Sequence, residues 1–437
     1  MDEFAFICAA VRTSYACVGR PGCVIAALSG GADSVLLLRT LHALRDELSF
    51  DLRAVHVNHG LRENAALDEA FCRQLCSDMN VPLQVFHVQV SDRGSVEDAA
   101  RRARYAAFAK AMPSDRSALL ALAHHMDDQA ETVLMHLIYG SGMTGLSGMR
   151  ELSGVFWRPL LTVRRRQIRD ALTALHQPWR EDESNQDTAY TRNYLRAQAL
   201  PVLEQASASA VPAICRAADI LRQEDALLNH LAQNILCGAC GTGEHYFILL
   251  EALARQEPAM QRRMLRSYAG KAGLTLDYEQ TERLRSLLDA PDGSYANLPC
   301  DWRALRTRTR LHLLPPNHAV CTPAADALRI LPGDGKCGDG RLMQAIPDAV
   351  LARGITLRPR RPGDFIRPFG MHGAKKLKDY LIDRQIDLPF RDAWPLVCQD
   401  SEVLWVIGVG ASEALRTASD DQTAKLMAYT GMLPDAI

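Results

Sequence analysis

The first two hundred residues alternate short apolar runs with longer segments of helical periodicity, and this alternation restricts the fold more than any other feature. The apolar runs, which we interpret as strands, cover residues 24–28, 52–57, 83–90 and 118–123. Apolar residues at helical spacing fill the intervals, at 35–48, 67–79 and 96–112. Strands separated by helices of this length pair in parallel, so we predict an α/β domain with a doubly wound parallel sheet over residues 1–210.

The remaining sequence predicts two further parts of different character. Residues 211–316 are expected to form a mainly helical middle domain, with helices at 211–237, 258–272 and 278–288 and a hairpin that pairs 295–298 with 308–314. A proline-containing segment, 315–323, then leads to a small α+β domain at 326–437, whose clearest strand is 403–409.

The composition excludes several classes of protein. The 437 residues include 50 Lys and Arg against 51 Asp and Glu, so any basic surface for a nucleic acid must be local. No apolar run reaches the roughly 18 residues of a membrane span, and the first residues do not read as a signal peptide. The 12 cysteines form no disulfide framework, which is typical of reduced thiols. We therefore expect a cytoplasmic protein.

A short polar segment lies between the first predicted strand and the helix that follows it. We call it the glycine loop, and its residues are Ser29, Gly30, Gly31, Ala32, Asp33 and Ser34. Adjacent glycines let the backbone approach an anion, serines add hydroxyl donors, and the following helix presents free N–H groups. These features predict a phosphate-binding loop, and an aspartate beside phosphates implies a divalent cation such as Mg²⁺. The Gly-Lys-Ser/Thr sequence of Walker loops is absent, which argues against γ-phosphoryl transfer.

Two histidine-containing segments follow the second and fourth strands, at 56–62 and 124–132. The carboxyl ends of parallel strands meet at one edge of a sheet, where ligands bind, so both segments are expected beside the glycine loop. Asp127 or Asp128 can cap the next helix, and Asp128 then shares a helical face with Glu131 or Thr132. Such carboxylates suit either Mg²⁺ or a substrate ammonium, and the residues alone do not decide between these ligands.

Together these segments resemble the PP-loop, or N-type, ATP pyrophosphatases, which cleave ATP between its α- and β-phosphates. Further motifs make the resemblance more specific, and with them the chain is similar to the tRNA(Ile)-lysidine synthase family. These motifs lie at residues 140–149, 158–161, 182–185, 192–196, 361–364 and 375–379. The sequence departs from the family pattern at Tyr139, where an arginine usually precedes Gly-Ser-Gly.

The resemblance implies an ATP-dependent ligase that forms a C–N bond. It would adenylate the C2 oxygen of the wobble cytidine in CAU-anticodon tRNA(Ile), after which the ε-amine of free L-lysine displaces AMP and leaves lysidine. Codon recognition would then change from AUG to AUA. The implied cofactors are ATP and Mg²⁺, and the implied partners are the tRNA and lysine, without a membrane. A homodimer is left open.

The resemblance also implies roles for individual residues. Besides the glycine loop, the residues expected to contact ATP are His56, Arg192 and Arg196. The residues expected to be catalytic are Asp33, His124, Asp128 and Glu131, of which Asp33 and Asp128 are the expected metal ligands. Which carboxylate binds lysine and which binds the metal stays open.

A protein without a net basic charge needs local basic surfaces if it is to bind tRNA. Residues 353–391 carry ten basic and four acidic side chains. The tRNA contacts expected there are Arg361, Lys375, Lys376 and Lys378. Further candidates for contacts to phosphate or tRNA are Arg101, Arg102 and Arg104. The alternative for either set is a solvated, charged face.

Three other functions compete with this interpretation. A PP-loop thiolase that places sulfur on tRNA cytidine typically carries Cys-x-x-Cys pairs in or beside its catalytic domain, whereas here that spacing occurs at Cys237 and Cys240 of the middle domain. The second alternative is a small-molecule amidotransferase or NAD synthetase, whose substrates would not require a basic C-terminal domain. The third alternative is a tRNA-binding protein without catalytic activity, which would not require an intact glycine loop.

Overall fold

The structure is a computed structural model that describes residues 2–58, 65–88, 96–113, 117–181, 191–241, 246–316, 327–332, 339, 341–371, 373–386, 388–416 and 424–430. The chain divides into two compact units, Met1–Leu227 and Leu228–Ile437. Within the described ranges, no helix has both the length and the apolar character that crossing a membrane requires.

A six-stranded sheet forms the centre of the first unit. Its strands are β1 (Cys23–Ala27), β2 (Asp51–Asn58), β3 (Leu83–His87), β4 (Ala118–Ala121), β5 (Leu152–Ser153) and β6 (Phe156–Trp157). Their order across the sheet is β3-β2-β1-β4-β6-β5, and every pair is parallel except β5 with β6. The predicted α/β fold with a parallel sheet is therefore confirmed. The two-residue strands β5 and β6 are too short to show a periodicity, and they are absent from the predicted elements.

Helices cover both faces of this sheet. The helices that begin in this unit are α1 (Glu3–Cys17), α2 (Ala32–Leu48), α3 (Ala65–Asp78), α4 (Val96–Ala111), α5 (Met126–Ile138), α6 (Met143–Leu146), α7 (Arg165–Ala174), α8 (Thr191–Tyr194), α9 (Leu200–Ala206) and α10 (Ala210–Leu236), which continues into the second unit, with a π-helix at Leu195–Ala199. Helices α1, α2, α3 and α7 pack on one face, and α4 packs on the other. Because side chains alternate along a strand, Val24 and Ala26 of β1 face the first group while Ile25 faces α4.

The first part of the second unit combines helices with an antiparallel sheet. The helices are α11 (Leu250–Ala254), α12 (Pro258–Lys271) and α13 (Tyr278–Ser286). The strands are β7 (Cys240–Gly241), β8 (Tyr246–Leu249), β9 (Tyr295–Asn297), β10 (Arg303–Arg306) and β11 (Arg310–Leu314), in the order β7-β8-β11-β10-β9. The predicted hairpin of 295–298 with 308–314 is wrong, because β10 lies between β9 and β11 and pairs with both. Two of the four residues of β10 are arginines, so it lacks the apolar alternation that marks a strand.

The rest of the second unit contains two small sheets. One consists of β12 (Leu328–Leu331), β13 (Met343–Ile346) and β20 (Lys425–Tyr429). The other consists of β14 (Thr356–Arg358), β15 (Phe365–Ile366), β16 (Lys375–Lys376), β17 (Leu396–Gln399), β18 (Glu402–Val406) and β19 (Gly410–Ala411). Three short helices accompany them: α14 (Asp348–Leu351), α15 (Leu377–Asp383) and α16 (Leu388–Arg391). The strand predicted at 403–409 is confirmed as far as Val406, where β18 ends, while the domain boundaries near 210 and 316 stay predictions.

Candidate functional site

The glycine loop connects the carboxyl end of β1 to α2. Gly30 has φ +90°, a left-handed conformation that favours glycine, and a Cβ there would lie 3.4 Å from the Sγ of Cys72. The Ser34 hydroxyl donates to the Gly31 carbonyl over 3.0 Å and accepts the Ser29 N–H over 3.1 Å. These bonds form a compact turn at the amino end of a 17-residue helix, where free N–H groups and the helix dipole favour an anion.

His125 caps α5 and connects it to the glycine loop. Its buried ring accepts the Asp128 N–H at Nδ1 over 3.3 Å, and its Nε2 lies 3.6 Å from Asp33 Oδ2 and 3.5 Å from Asp128 Oδ2. Burial alone would lower the pKa of His125, but Asp128, Asp33 and Asp127 outweigh burial and raise that pKa. The predicted site included His124 but not His125, and the predicted helix cap was Asp127 or Asp128. His125 is the N-cap instead, and Asp128 completes the capping box, which the position of His125 just before the helix could have indicated.

Two carboxylates of α5 bind two arginines of the segment that begins with α8. Glu131 is fully buried, and it accepts bonds from Arg192 Nε over 2.9 Å and from Arg196 Nε over 2.6 Å. Asp128 Oδ1 accepts bonds from Nη2 of both arginines, over 3.2 and 2.9 Å. Burial alone would raise the pKa of Asp128, but His125 and Arg192 outweigh burial and lower that pKa. The structure thus brings four predicted site residues into one cluster.

A cavity of about 480 Å³ lies at the carboxyl edge of the sheet. The predicted residues that line it are Ser29, Gly31, Asp33, Ser34, His56, Arg101, Arg104, His124 and Asp128. Part of its wall is apolar, formed by Val55, Val57, Phe108 and Leu122. The predicted residues that do not line it are Gly30, Ala32, Arg102, Glu131, Arg192 and Arg196. A polar end beside an apolar wall, in a cavity of this size, suits a nucleotide.

The two predicted histidines of the cavity differ in their bonding. Nδ1 of His56 lies 2.8 Å from the Leu28 carbonyl oxygen, so this ring is tied to the end of β1. Nδ1 of His124 is buried and has no hydrogen-bond partner among the residues that the structure describes. Burial lowers the pKa of His124 to about 4, which keeps its ring neutral near pH 7. His124 therefore has a ring nitrogen available for a polar ligand.

Asp33 suits a bound cation better than its neighbours do. Its Oδ1 is buried and without a hydrogen-bond partner in the described structure, whereas both oxygens of Asp128 are bonded to protein groups. Over the described ranges, no three His, Cys, Asp or Glu side chains are grouped as metal ligands. Mg²⁺ usually takes one or two carboxylates and completes its shell with water and phosphate oxygens. A single aspartate beside a phosphate-binding loop fits such an ion.

Basic side chains also gather in the second unit, beside the turn at 361–364. Arg358 and Asp364 form a buried, two-point ion pair with both bonds at 2.8 Å, and Asp364 also accepts the Arg361 N–H over 2.7 Å. A cavity of about 630 Å³ at this turn is lined by the basic residues Arg360, Arg361, Lys376 and Lys378. Lys375 binds Asp383 instead and does not line this cavity. Three of the four basic residues predicted here are therefore together.

Other predicted features lie elsewhere. The parts of two motifs at 59–62 and 182–185 are outside the described residues. Tyr139 is exposed at the end of α5, with its hydroxyl 3.2 Å from Thr191 Oγ1. Cys237 is exposed after α10, while Cys240 donates to the Leu236 carbonyl over 3.1 Å.

The parallel sheet, the glycine loop and the cavity at its edge define a PP-loop ATPase domain, and residues 12–203 match the PP-loop domain family. Residues 249–312 match the TilS substrate binding domain, and residues 355–427 match the TilS substrate C-terminal domain. The chain belongs to the tRNA(Ile)-lysidine synthase family.

Relatives that bear this name cover most of the chain. The tRNA(Ile)-lysidine synthase of Caldanaerobacter subterraneus subsp. tengcongensis is 30% identical, with 98% of each chain covered. That of Geobacter sulfurreducens is 32% identical, with 94% of each chain covered. That of Pseudomonas putida is 35% identical over 85% of this chain and 88% of its own.

Similarity to solved structures is low. The U34-tRNA thiolase NcsA from Methanococcus maripaludis with its 4Fe-4S cluster is 16% identical, with a TM-score of 0.41 over 50% of this chain and 79% of its own. A TILS C-terminal domain is 23% identical, with a TM-score of 0.22 over 33% of this chain and 95% of its own. Neither likeness is high enough to bear on function.

Proposed function

We propose that this protein is a cytoplasmic ligase that uses ATP to join free L-lysine to C2 of the wobble cytidine in CAU-anticodon tRNA(Ile). The observation that carries the proposal is the glycine loop. It lies at the carboxyl edge of a parallel sheet, with Asp33 in the first turn of the following helix, in a chain of the lysidine synthase family.

The reaction needs two steps because the C2 oxygen of cytidine is a poor leaving group. First, this oxygen attacks the α-phosphorus of ATP, and the bond to the bridging oxygen of the β-phosphate breaks, which releases pyrophosphate. Second, the ε-amine of lysine attacks C2, the C–O bond breaks, and AMP leaves with the oxygen while the nitrogen loses a proton. The N–H groups of the glycine loop and the start of α2 would stabilise the departing pyrophosphate.

Magnesium, when bound, would offset the charge of the phosphates. Asp33 would hold it through Oδ1, the oxygen without a protein partner in the described structure. His125 would keep this carboxylate in place from the other side, where Nε2 lies 3.6 Å from Oδ2. Asp128 would join the metal site only by exchanging one of its present bonds.

The lysine side of the cavity would be formed by His124 and Asp128, both of which line it. Asp128 stays anionic at neutral pH, since its neighbours lower its pKa, and it can bind an ammonium group. His124 is neutral and has a buried nitrogen that can accept a hydrogen bond from the lysine amine, while its lowered pKa makes it a weak base for the proton that lysine must lose. Glu131 would act indirectly, by holding Arg192 and Arg196 beside Asp128. Neither arginine lines the cavity, so each would contact the nucleotide only by moving from its present position.

Binding of tRNA would use basic side chains on both units. Arg101 and Arg104 line the cavity of the first unit, and they are the arginines of α4 that we assign to phosphate or tRNA. In the second unit we assign tRNA contacts to Arg361, Lys376 and Lys378. Contacts to phosphates position a nucleic acid without reading its sequence.

Incubation with ATP, labelled lysine and CAU-anticodon tRNA(Ile) tests the proposal. We expect label in the tRNA, with AMP and pyrophosphate formed in equal amounts, and we expect Asp33→Ala to lower the rate by about 100-fold or more. The matched control is Asp46→Ala, an exposed aspartate on the same helix, which should leave the rate unchanged. Accumulation of ADP, or an active Asp33→Ala variant, would contradict the proposal.

A further inference from the structure

Arg180 packs against the glycine loop, although none of the motifs includes it. Its backbone N–H donates to the Gly30 carbonyl over 2.9 Å. Its side-chain stem lies against the same residue, since a Cβ on Gly30 would be 3.7 Å from Cγ of Arg180. The backbone of Arg180 therefore helps to fix the left-handed turn, and its side chain starts at the loop.

The guanidinium of Arg180 forms an ion pair with a residue that lines the cavity, although Arg180 itself does not line it. Its Nε donates to Asp68 Oδ1 over 3.0 Å, and Asp68, at the start of α3, lines the same cavity as Gly31 and Asp33. The two side chains are 38% and 27% exposed, so the pair is open to a ligand that enters from solvent. A positive group thus starts beside the glycine loop and bonds to a carboxylate that lines the cavity.

The glycine loop is expected to bind pyrophosphate, and the guanidinium of Arg180 can offset its negative charge. Pyrophosphate carries several negative charges, yet the glycine loop contains no lysine or arginine. Three carboxylates, Asp33, Asp68 and Asp128, line the cavity, and the arginines that line it are Arg101 and Arg104 of α4, which we assign to phosphate or tRNA. In Walker loops a lysine within the loop supplies the positive charge. Here a guanidinium brought from residue 180 can supply it, and its fork of donors matches phosphate oxygens.

We propose that Arg180 is a pyrophosphate-binding residue, and that Asp68 is a positioning residue that holds its guanidinium beside the cavity. The proposal rests on the proposed function, because it assigns the pyrophosphate to the glycine loop. When pyrophosphate is present, the guanidinium contacts it, and the bond to Asp68 lengthens or is shared. The backbone bond to Gly30 does not depend on the side chain and remains.

Calorimetric titration of the full-length protein with magnesium pyrophosphate, and separately with AMP, tests this directly. We expect Arg180→Gln to weaken pyrophosphate binding by about tenfold or more, because a charge-assisted contact is lost. AMP lacks the two terminal phosphates, so its affinity should change by less than twofold. We expect Arg180→Lys to recover part of the pyrophosphate affinity, since it keeps the charge but not the fork.

Asp68→Asn separates ligand binding from a structural ion pair. Asparagine keeps an oxygen that can accept the Arg180 Nε–H, so the guanidinium stays positioned while the negative charge beside the pyrophosphate is removed. If Arg180 serves pyrophosphate, binding should then be unchanged or tighter. If the pair only supports the fold, Asp68→Asn and Arg180→Gln should weaken binding alike, and this result would overturn the proposal. Arg12→Gln, which removes an arginine from the exposed pair with Glu47, is the matched control and should bind as the native protein does.

The titration does not require the ligase reaction, so the two proposals fail separately. A native protein that binds pyrophosphate through Arg180 but attaches no lysine to tRNA would overturn the proposed function alone. A protein that attaches lysine, while Arg180→Gln binds pyrophosphate normally, would overturn the present inference alone. A native protein that binds no pyrophosphate would overturn the present inference, while the tRNA assay alone decides the proposed function.

Discussion

Glu131 is a carboxylate without access to solvent, and this restricts what it can do. A buried carboxylate is costly unless it is paired, and Glu131 is paired with both Arg192 and Arg196. Together with Asp128 the cluster contains two positive and two negative charges. A substrate ammonium can approach Asp128 from the cavity, but it can reach Glu131 only by displacing an arginine.

We expect Glu131→Gln to lower the free energy of unfolding of the first unit by about 3 kcal/mol. The new side chain has the same shape, but it leaves two guanidinium groups facing one carboxylate. Urea or thermal unfolding measures the change. Glu47→Gln, which removes a carboxylate from the exposed pair with Arg12, should move the midpoint little. Equal shifts in the two variants would show that burial of Glu131 has no special effect.

Sequence patterns located most of this site but not its pairings. The spacing of Asp128 and Glu131 predicts one helical face, and that of Arg192 and Arg196 predicts another. Nothing local in the sequence joins faces whose partners are 61 to 68 residues apart. The sequence also does not distinguish between the two adjacent histidines. The conformation of the chain after β4 decides that His125, and not His124, lies near Asp33.

At the scale of elements, Glu69 connects α3 to the ends of two strands. It accepts bonds from Asn58 of β2 over 2.9 Å and from Arg73 over 2.7 Å, and it lies 2.8 Å from Nε2 of His87 of β3. These contacts, with the Asn58 bond as the largest, lower the pKa of Glu69 to about 2. Since Asn58 lines the cavity, Glu69 also helps to position one part of the candidate site.

The lowered pKa makes the stabilisation by Glu69 depend on pH. A carboxyl whose pKa falls on folding stabilises the protein above its unfolded pKa, here 4.5, and this stabilisation is lost as pH falls toward the folded value of about 2. We expect Glu69→Gln to cost about 1 kcal/mol at pH 7, a small value because solvent screens the group, and less as pH falls below 4.5. Unfolding curves at pH 7, 5 and 4 measure the difference. Asp78→Asn, which changes an exposed aspartate bonded to Gln74 on the same helix, is the control and should change stability little at pH 7.

Elements were predictable where each strand or helix carries its own periodicity. Strands β1, β2 and β4 and helices α2, α3 and α4 lie within a few residues of their predicted positions. The hairpin prediction was wrong because the two arginines of β10 interrupt the apolar alternation that marks a strand. The structure of β10 depends instead on its pairing with β9 and β11. Polar strands of this kind depend on partners that a local pattern does not reveal.

At the scale of the whole molecule, a nearly neutral protein presents local basic surfaces. The net charge is −1, while residues 353–391 carry ten basic and four acidic side chains. Pairing then decides which charges are available: Lys375 binds Asp383, whereas Lys376 and Lys378 line a cavity with Arg360 and Arg361. Adjacent lysines of one two-residue strand point to different neighbours, because side chains alternate along β16.

We expect the double variant Lys376→Gln, Lys378→Gln to raise the KM for tRNA about tenfold while kcat and the KM for ATP stay unchanged. Each lost phosphate contact should also reduce the slope of log affinity against log salt concentration by about 0.9, so the double variant should lose nearly 2 units of slope. Filter binding at several salt concentrations measures the slope, and steady-state kinetics measure KM. Lys425→Gln, which removes a lysine of β20 that lies near Asp348 of α14, is the control and should keep the native slope. If the double variant also keeps it, tRNA does not dock on this surface, and the basic side chains at the 361–364 turn are a solvated face.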